Sequence, residues 1–97
     1  MLEAISVQTF VPLIGGAFSF RSGGQELSVI LQTAGEIGGH RGSELRAPFR
    51  LEFVGPMSPV WSQGIHRVVG DGLPELDIFL VPIGPNDQGM RYEAIFN

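Results

Sequence analysis

Hydrophobic and polar positions change period once along the chain. From Ser6 to Gly16 the apolar residues Phe10, Leu13 and Ile14 stand at i, i+3 and i+4, which makes one face of a helix. Ser6 and Thr9 are both N-cap types. A start after Thr9 puts Pro12 in the first turn, where its missing N–H is harmless, and Gly15-Gly16 supplies the stop. The pattern predicts one short helix plugging one end of a core.

From Ala17 onward the period is two. Phe18 and Phe20 alternate with Ala17, Ser19 and Arg21, and Leu27, Val29 and Leu31 alternate with Ser28, Ile30 and Gln32. Between these runs Ser22-Gly23-Gly24-Gln25 is a tight reversal, because paired glycines accept the positive φ angles of a primed turn. This is the clearest hairpin in the sequence. Gly35 to Arg46 lacks any period and reads as loop. Pro48 to Val54 is a half-buried strand, with Phe49, Leu51 and Phe53 on one face and Arg50 and Glu52 on the other. Ile65 to Val69 is a shorter strand of weaker pattern.

Glu75 to Ile83 is apolar on both faces, with Ile78 and Leu80 on one and Phe79, Val81 and Ile83 on the other. Such a strand is central, covered twice or in contact with a partner. Pro82 cannot donate to a ladder, so it belongs at the strand's end or at a bulge. Gly84 to Gly89 reads as a turn. Met90, Tyr92, Ala94 and Phe96 then alternate with Arg91, Glu93 and Ile95.

Six short strands with close turn signals, and no helix long enough for a parallel crossover, predict antiparallel pairing. The expected fold is all-β: a small six-stranded antiparallel barrel or compact sandwich with one short N-terminal helix, as a single domain over residues 1–97. The expected core includes Phe18, Phe20, Leu27, Val29, Leu31, Phe49, Leu51, Phe53, Leu80 and Tyr92.

Composition narrows the function classes. The chain of 97 residues is 43% hydrophobic, enough for one modest core, and its 14 Gly and 7 Pro fit a turn-rich β fold better than a helical bundle. Its net charge is −4 and it has no Lys. Neither a nucleic-acid backbone nor an anionic membrane attracts such a chain. With no Cys, disulfides, thiolate metal sites and Cys nucleophiles are excluded. Met1 to Ile5 lacks a positive region ahead of an apolar stretch, and the apolar runs are too short to span a bilayer as a helix. The expectation is a soluble, cytoplasmic protein that is either free or incorporated into a particle.

Several ordered landmarks carry a resemblance. They are Phe10-Val11-Pro12-Leu13-Ile14-Gly15, Phe49 to Pro56, Gln63-Gly64-Ile65-His66-Arg67-Val68, Phe79-Leu80-Val81-Pro82-Ile83-Gly84-Pro85 and Met90 to Asn97. Together they resemble a family of small bacterial proteins described as a domain of unknown function. The resemblance covers nearly the whole chain and is most specific from Phe79 to Asn97. It implies a complete natural domain and a neighbourhood of phage-tail-collar-like genes. It assigns no catalytic or binding residue.

Candidate chemistry is sparse. Gly38-Gly39-His40-Arg41-Gly42 is rich enough in glycine to cradle an anion, but it lacks the Lys-Ser/Thr ending of a P-loop and reads better as a surface loop. His66 is a general-base candidate, with Asp71 or Asp77 to orient it and Ser62 to complete a triad. No nucleophile elbow accompanies it, and a strand histidine facing solvent or capping the sheet is the favoured reading. Asp71, Asp77 and Asp87 are too widely spaced for a Ca²⁺ loop, and two histidines without an acid cluster do not make a zinc site. No catalytic, cofactor or metal residue is therefore assigned.

The segment from Pro56 to Gln63 stands out. It holds the only Trp, beside Met57 and Val60, in a loop with two rigid prolines. Trp and Met are enriched at interface cores, so Met57, Val60 and Trp61 are the candidate interaction surface. A Trp61 folded back as a lid on the core is the competing, slightly favoured reading. The leading function is a non-enzymatic interaction or assembly domain, contacting a protein partner or itself, of the kind a phage-tail-like particle uses. The alternative is a small barrel that binds an apolar ligand.

Overall fold

In the computed structural model, which describes residues 5–38 and 47–97, the period-two segments are strands. They are β1 (Ala17–Ser22), β2 (Gln25–Glu36), β3 (Phe49–Gly55), β4 (Gly64–Gly70), β5 (Leu76–Asn86) and β6 (Gly89–Phe96). All pair antiparallel and close into a barrel in the order β1-β2-β3-β6-β5-β4. Of the two architectures the pattern allowed, the barrel is the one formed.

The hairpin between β1 and β2 turns on Gly23 (φ 57°) and Gly24 (φ 81°), both positive as a primed turn requires. Closure depends on β1 meeting β4, with Phe18 opposite Gly70 and Arg21 opposite Arg67. The Phe18 ring lies across Gly70, and a Cβ there would stand 2.3 Å from it, so only glycine lets the two strands approach.

Every residue of the expected core is buried, joined by Ile5, Val7, Phe10, Val68, Leu76, Ile78, Ala94 and Phe96. Aromatic rings fill the barrel in two groups. Phe49 and Phe96 stack at 4.6 Å, and Phe10 packs on both at about 6 Å. Toward the other mouth, Phe20 meets Phe53 at 5.2 Å and Tyr92 at 5.4 Å, both edge-on. Edge-on packing is the favoured alignment of ring quadrupoles.

The N-terminal helix does plug one mouth, but it begins earlier than the sequence suggested. Ser6 is the N-cap of α1 (Val7–Phe10), and a 3-10 turn (Val11–Leu13) follows. The Ser6 N–H donates to Thr9 Oγ1 at 3.2 Å, so Thr9 serves as the far side of a capping box. Pro12 enters at the start of the 3-10 turn rather than of the helix. This earlier start buries Val7 with Phe10, while Ile14 has left helical geometry and is exposed.

Two other boundaries move. Gly35 and Glu36, expected in a loop, continue β2 and pair with Arg50 and Phe49. The expected turn from Gly84 to Gly89 shrinks to Asp87-Gln88, because β5 runs on to Asn86. Pro82 sits at a register shift between Pro82 and Gly84, as its missing N–H demanded. Gly84 takes φ 103°, and the Arg91 guanidinium donates to the carbonyls of Gly84 (3.1 Å) and Ile83 (3.4 Å). The bulge thus keeps its acceptors satisfied. Pairing of β4 with β5 ends at Leu80, so both Pro82 and Pro85 lie where β5 has a single hydrogen-bonded neighbour.

As an interior strand, β5 has neighbours on both sides, β4 and β6. Leu76, Ile78 and Leu80 face inward and are buried, whereas Phe79 on the outer face is exposed. Among the described residues no helix is long and apolar enough to cross a membrane.

Candidate functional site

The connection from β3 to β4 covers the mouth opposite α1. Gly55 ends β3, and Pro56 to Val60 lie exposed in one unbroken run. Met57 is 57% and Val60 48% accessible. The chain then turns inward at Trp61. The reason lies in Tyr92, whose side chain is fully buried in the barrel. A buried phenol needs a hydrogen-bond partner, and the Trp61 backbone N–H donates to its oxygen at 3.0 Å. The indole ring rests half-buried, with its centroid 6.5 Å from Phe20 and 5.2 Å from the His66 ring. Trp61 is therefore in contact with the core, while Met57 and Val60 project from it.

Beside this lid lies a surface pocket of about 500 Å³, between the hairpin residues Ser22, Gly23 and Gln25 and the side formed by Pro59, Trp61 and His66. His66 Nε2 is 2.9 Å from the Ser62 carbonyl oxygen. A carbonyl only accepts, so Nε2 carries the proton. Nδ1 is buried and without a hydrogen-bond partner among the described residues.

The residues proposed to assist His66 are not assembled around it. His66 is opposite Ile78 on the inward side of the β4–β5 pair, whereas Asp77 is opposite Arg67 on the outer face. The Asp77 carboxylate accepts from Arg67 Nε at 2.6 Å, and Glu75 accepts from Arg67 Nη1 at 2.8 Å. These two hydrogen bonds raise the Arg67 pKa above the ordinary guanidinium value. Asp71 follows Gly70, at the end of β4 away from His66. Ser62 meets His66 through its backbone and not its hydroxyl. Asp87 lies in the β5–β6 turn. Among the described residues no group of three or more His, Asp or Glu is placed to hold a metal ion. His40 and Arg41 of the glycine-rich segment lie outside the described residues.

A second constellation was missed by reading strands singly. On the outer face of β3 and β6, Glu52 stands directly opposite Glu93, a like-charge pair. Arg50 resolves it, donating to Glu93 Oε2 at 2.8 Å and to Glu52 Oε1 at 3.2 Å, while Arg91 lies 3.7 Å from the other Glu52 oxygen. Partial burial disfavours the Arg50 charge, and the hydrogen bonds to Glu93 and Glu52 outweigh it, so its pKa is raised. Only the β3–β6 register brings these four residues together. Alternation alone marks them as outward-facing and goes no further.

Residues 5–96 match the family described as Domain of unknown function (DUF6916). The chain belongs to that family. No curated protein and no solved structure matches it. The match spans both mouths of the barrel and all six strands, so the loop bearing Met57, Val60 and Trp61 is part of the family's domain and not an appendage to it.

Proposed function

We propose that this DUF6916 domain is a non-enzymatic contact module, presenting the loop from Pro56 to Trp61 to a protein partner. One observation carries the reading: an exposed Pro-Met-Ser-Pro-Val run is fixed to the barrel at Trp61 through the buried Tyr92 hydroxyl. A loop anchored at its base and stiffened by two prolines loses little conformational freedom on binding. Met57 and Val60 supply apolar contact area, and the pocket beside Trp61 offers a recess for a partner side chain.

Absence of a catalytic role is part of the same proposal. It is supported by the engagement of Asp77 with Arg67 and by the inward, carboxylate-free setting of His66. The rings that meet along the barrel axis favour a surface contact over an apolar ligand held inside. The resemblance adds the setting: a bacterial, phage-tail-like assembly, in which small β domains meet other subunits.

The test is capture of a partner from the native host by the wild-type domain and by Met57→Ser/Val60→Ser. Both replaced side chains are exposed, so the variant should keep the wild-type melting temperature and lose the captured protein. Undiminished capture by a folded variant removes the loop from the proposal.

A further inference from the structure

We propose that Asp71 is a self-modification site, where the side chain closes on the Gly72 amide and the residue isomerises from aspartate to isoaspartate. The site lies at the opposite end of β4 from the Pro56–Trp61 loop and is independent of that loop's role.

Closure needs a carboxyl or amide side chain free to turn toward the next residue, a following backbone N–H that is not hydrogen-bonded, and no bulky side chain beside that nitrogen. Among Asp71, Asp77, Asn86 and Asp87, only Asp71 precedes a glycine. The other three are also restrained. The Asp77 carboxylate accepts from Arg67 Nε at 2.6 Å, and β-branched Ile78 follows it within β5. Asn86 Oδ1 accepts from the N–H groups of Gln88 at 2.8 Å and Gly89 at 3.1 Å, while its Nδ2 donates to Gln32 at 3.2 Å. The first of those bonds also occupies the nitrogen that Asp87 would need.

Asp71 has none of these restraints. It and Gly72 are exposed, and neither the carboxylate nor the Gly72 N–H has a hydrogen-bond partner among the described residues. The Leu73 N–H donates to the Gly70 carbonyl at 3.2 Å, and Gly72 has φ 77° while no non-glycine residue has a positive φ, so Gly70 to Leu73 is a type II turn. That bond ties the ends of the turn and leaves its central peptide untied. Glycine accepts either sign of φ, so this peptide rotates to present the Gly72 nitrogen to the carboxyl. Nucleophile and carboxyl sit on adjacent residues, which makes the reaction intramolecular.

The Gly72 nitrogen bonds to Asp71 Cγ, the Cγ–OH bond breaks, and the amide proton leaves with the hydroxyl as water. The product is a cyclic imide. Water reopens it, and two recesses of about 400 Å³, both bordered by Asp71, Ala17 and Phe18, give water access. Attack at Cγ returns aspartate. Attack at the main-chain carbonyl breaks its bond to Gly72 and leaves the chain running through Cγ, as isoaspartate. Water is the sole co-reactant. The isomer lengthens the backbone between Gly70 and Leu73 by a methylene, next to the seam where Gly70 lies under the Phe18 ring. The modification therefore loosens barrel closure.

The test incubates the folded protein near neutral pH in heavy-oxygen water, followed by digestion and mass spectrometry. Each cycle places a solvent oxygen in Asp71, so label should build up there and not in Asp77 or Asp87, and the aged protein should become a substrate for an isoaspartyl methyltransferase. Asp71→Glu, which must close a larger ring, should lose both signals. Asp71→Asn, which expels ammonia in place of water, should form isoaspartate faster. The isomerised fraction, separated by chromatography, should melt below the unmodified protein. Folded wild type without label at Asp71, or with equal label at Asp77 or Asp87, overturns the proposal, and equal melting of the two fractions overturns the effect on closure. Should Asp71→Glu fail to fold, the comparison of the three aspartates within the wild type still decides.

Discussion

Tyr92 joins the core to the loop above it. Its ring packs edge-on against Phe20, and its hydroxyl accepts from the Trp61 N–H. Tyr92→Phe keeps the ring and removes the acceptor, leaving the Trp61 amide without its partner. The expected cost is about 1–2 kcal/mol, with the Trp61 amide exchanging its hydrogen faster while amides of β3 stay protected. Phe53 tests the barrel interior. It is fully buried and meets both Phe18 and Phe20 edge-on, so Phe53→Ala should cost about 3–5 kcal/mol in urea unfolding. A loss below about 1 kcal/mol would mean that β3 has the opposite face inward, since a one-residue slip inverts every side chain.

At the scale of elements, the informative feature is where alternation breaks. In β2, Leu31 is opposite Phe53 and Thr33 opposite Glu52, so Gln32 is an extra residue. Inward positions run Leu27, Val29, Leu31 and then Ala34, a step of three that a period-two reading takes for the strand's end. Gln32 uses its displaced position to bond Asn86 (Nδ2 to Oε1, 3.2 Å) and Gln88 in the β5–β6 turn. Deleting Gln32 restores plain alternation, with Leu31 in, Thr33 out and Ala34 in. The deletion should fold, less stable by about 1–3 kcal/mol for the lost side-chain bonds. Deleting Ser28 instead inverts the face of one part of β2 relative to the other and should abolish cooperative unfolding. Circular dichroism melts of both deletions make the comparison.

For the whole molecule, closure makes the strands interdependent. Each hydrogen-bonds to two others, and the aromatic groups at the two mouths share the β3 and β6 strands. Unfolding should therefore be two-state, with the fluorescence of the single Trp61 and the far-ultraviolet signal changing at the same urea concentration. An earlier fluorescence transition would show that the lid opens before the barrel. The exposed ion pairs among Arg21, Glu26, Arg67, Glu75 and Asp77 are screened by solvent and add little to this stability.

What the sequence determined by itself is whatever follows from period and from single-residue geometry. Alternation marked the inward residues of β1, β3, β6 and the first half of β2, because successive side chains in a strand point to opposite faces. Gly23-Gly24 fixed the hairpin, because few other residues accept its φ angles, and Pro82, lacking an N–H, required a strand end or a bulge. Tertiary structure decided the rest, because it depends on which strands become neighbours. Barrel or sandwich was settled by β1 reaching β4, where Gly70 makes room for Phe18. The same register put Asp77 on the outer wall with Arg67 and left His66 inside with Ile78, so residues eleven apart in sequence at most ended on opposite faces of one sheet. Trp61 was visible as a lone aromatic in a proline-bearing loop, but its anchor, Tyr92, lies 31 residues away on β6. No local pattern encodes a contact of that range. It exists because the barrel brings β6 beneath the loop.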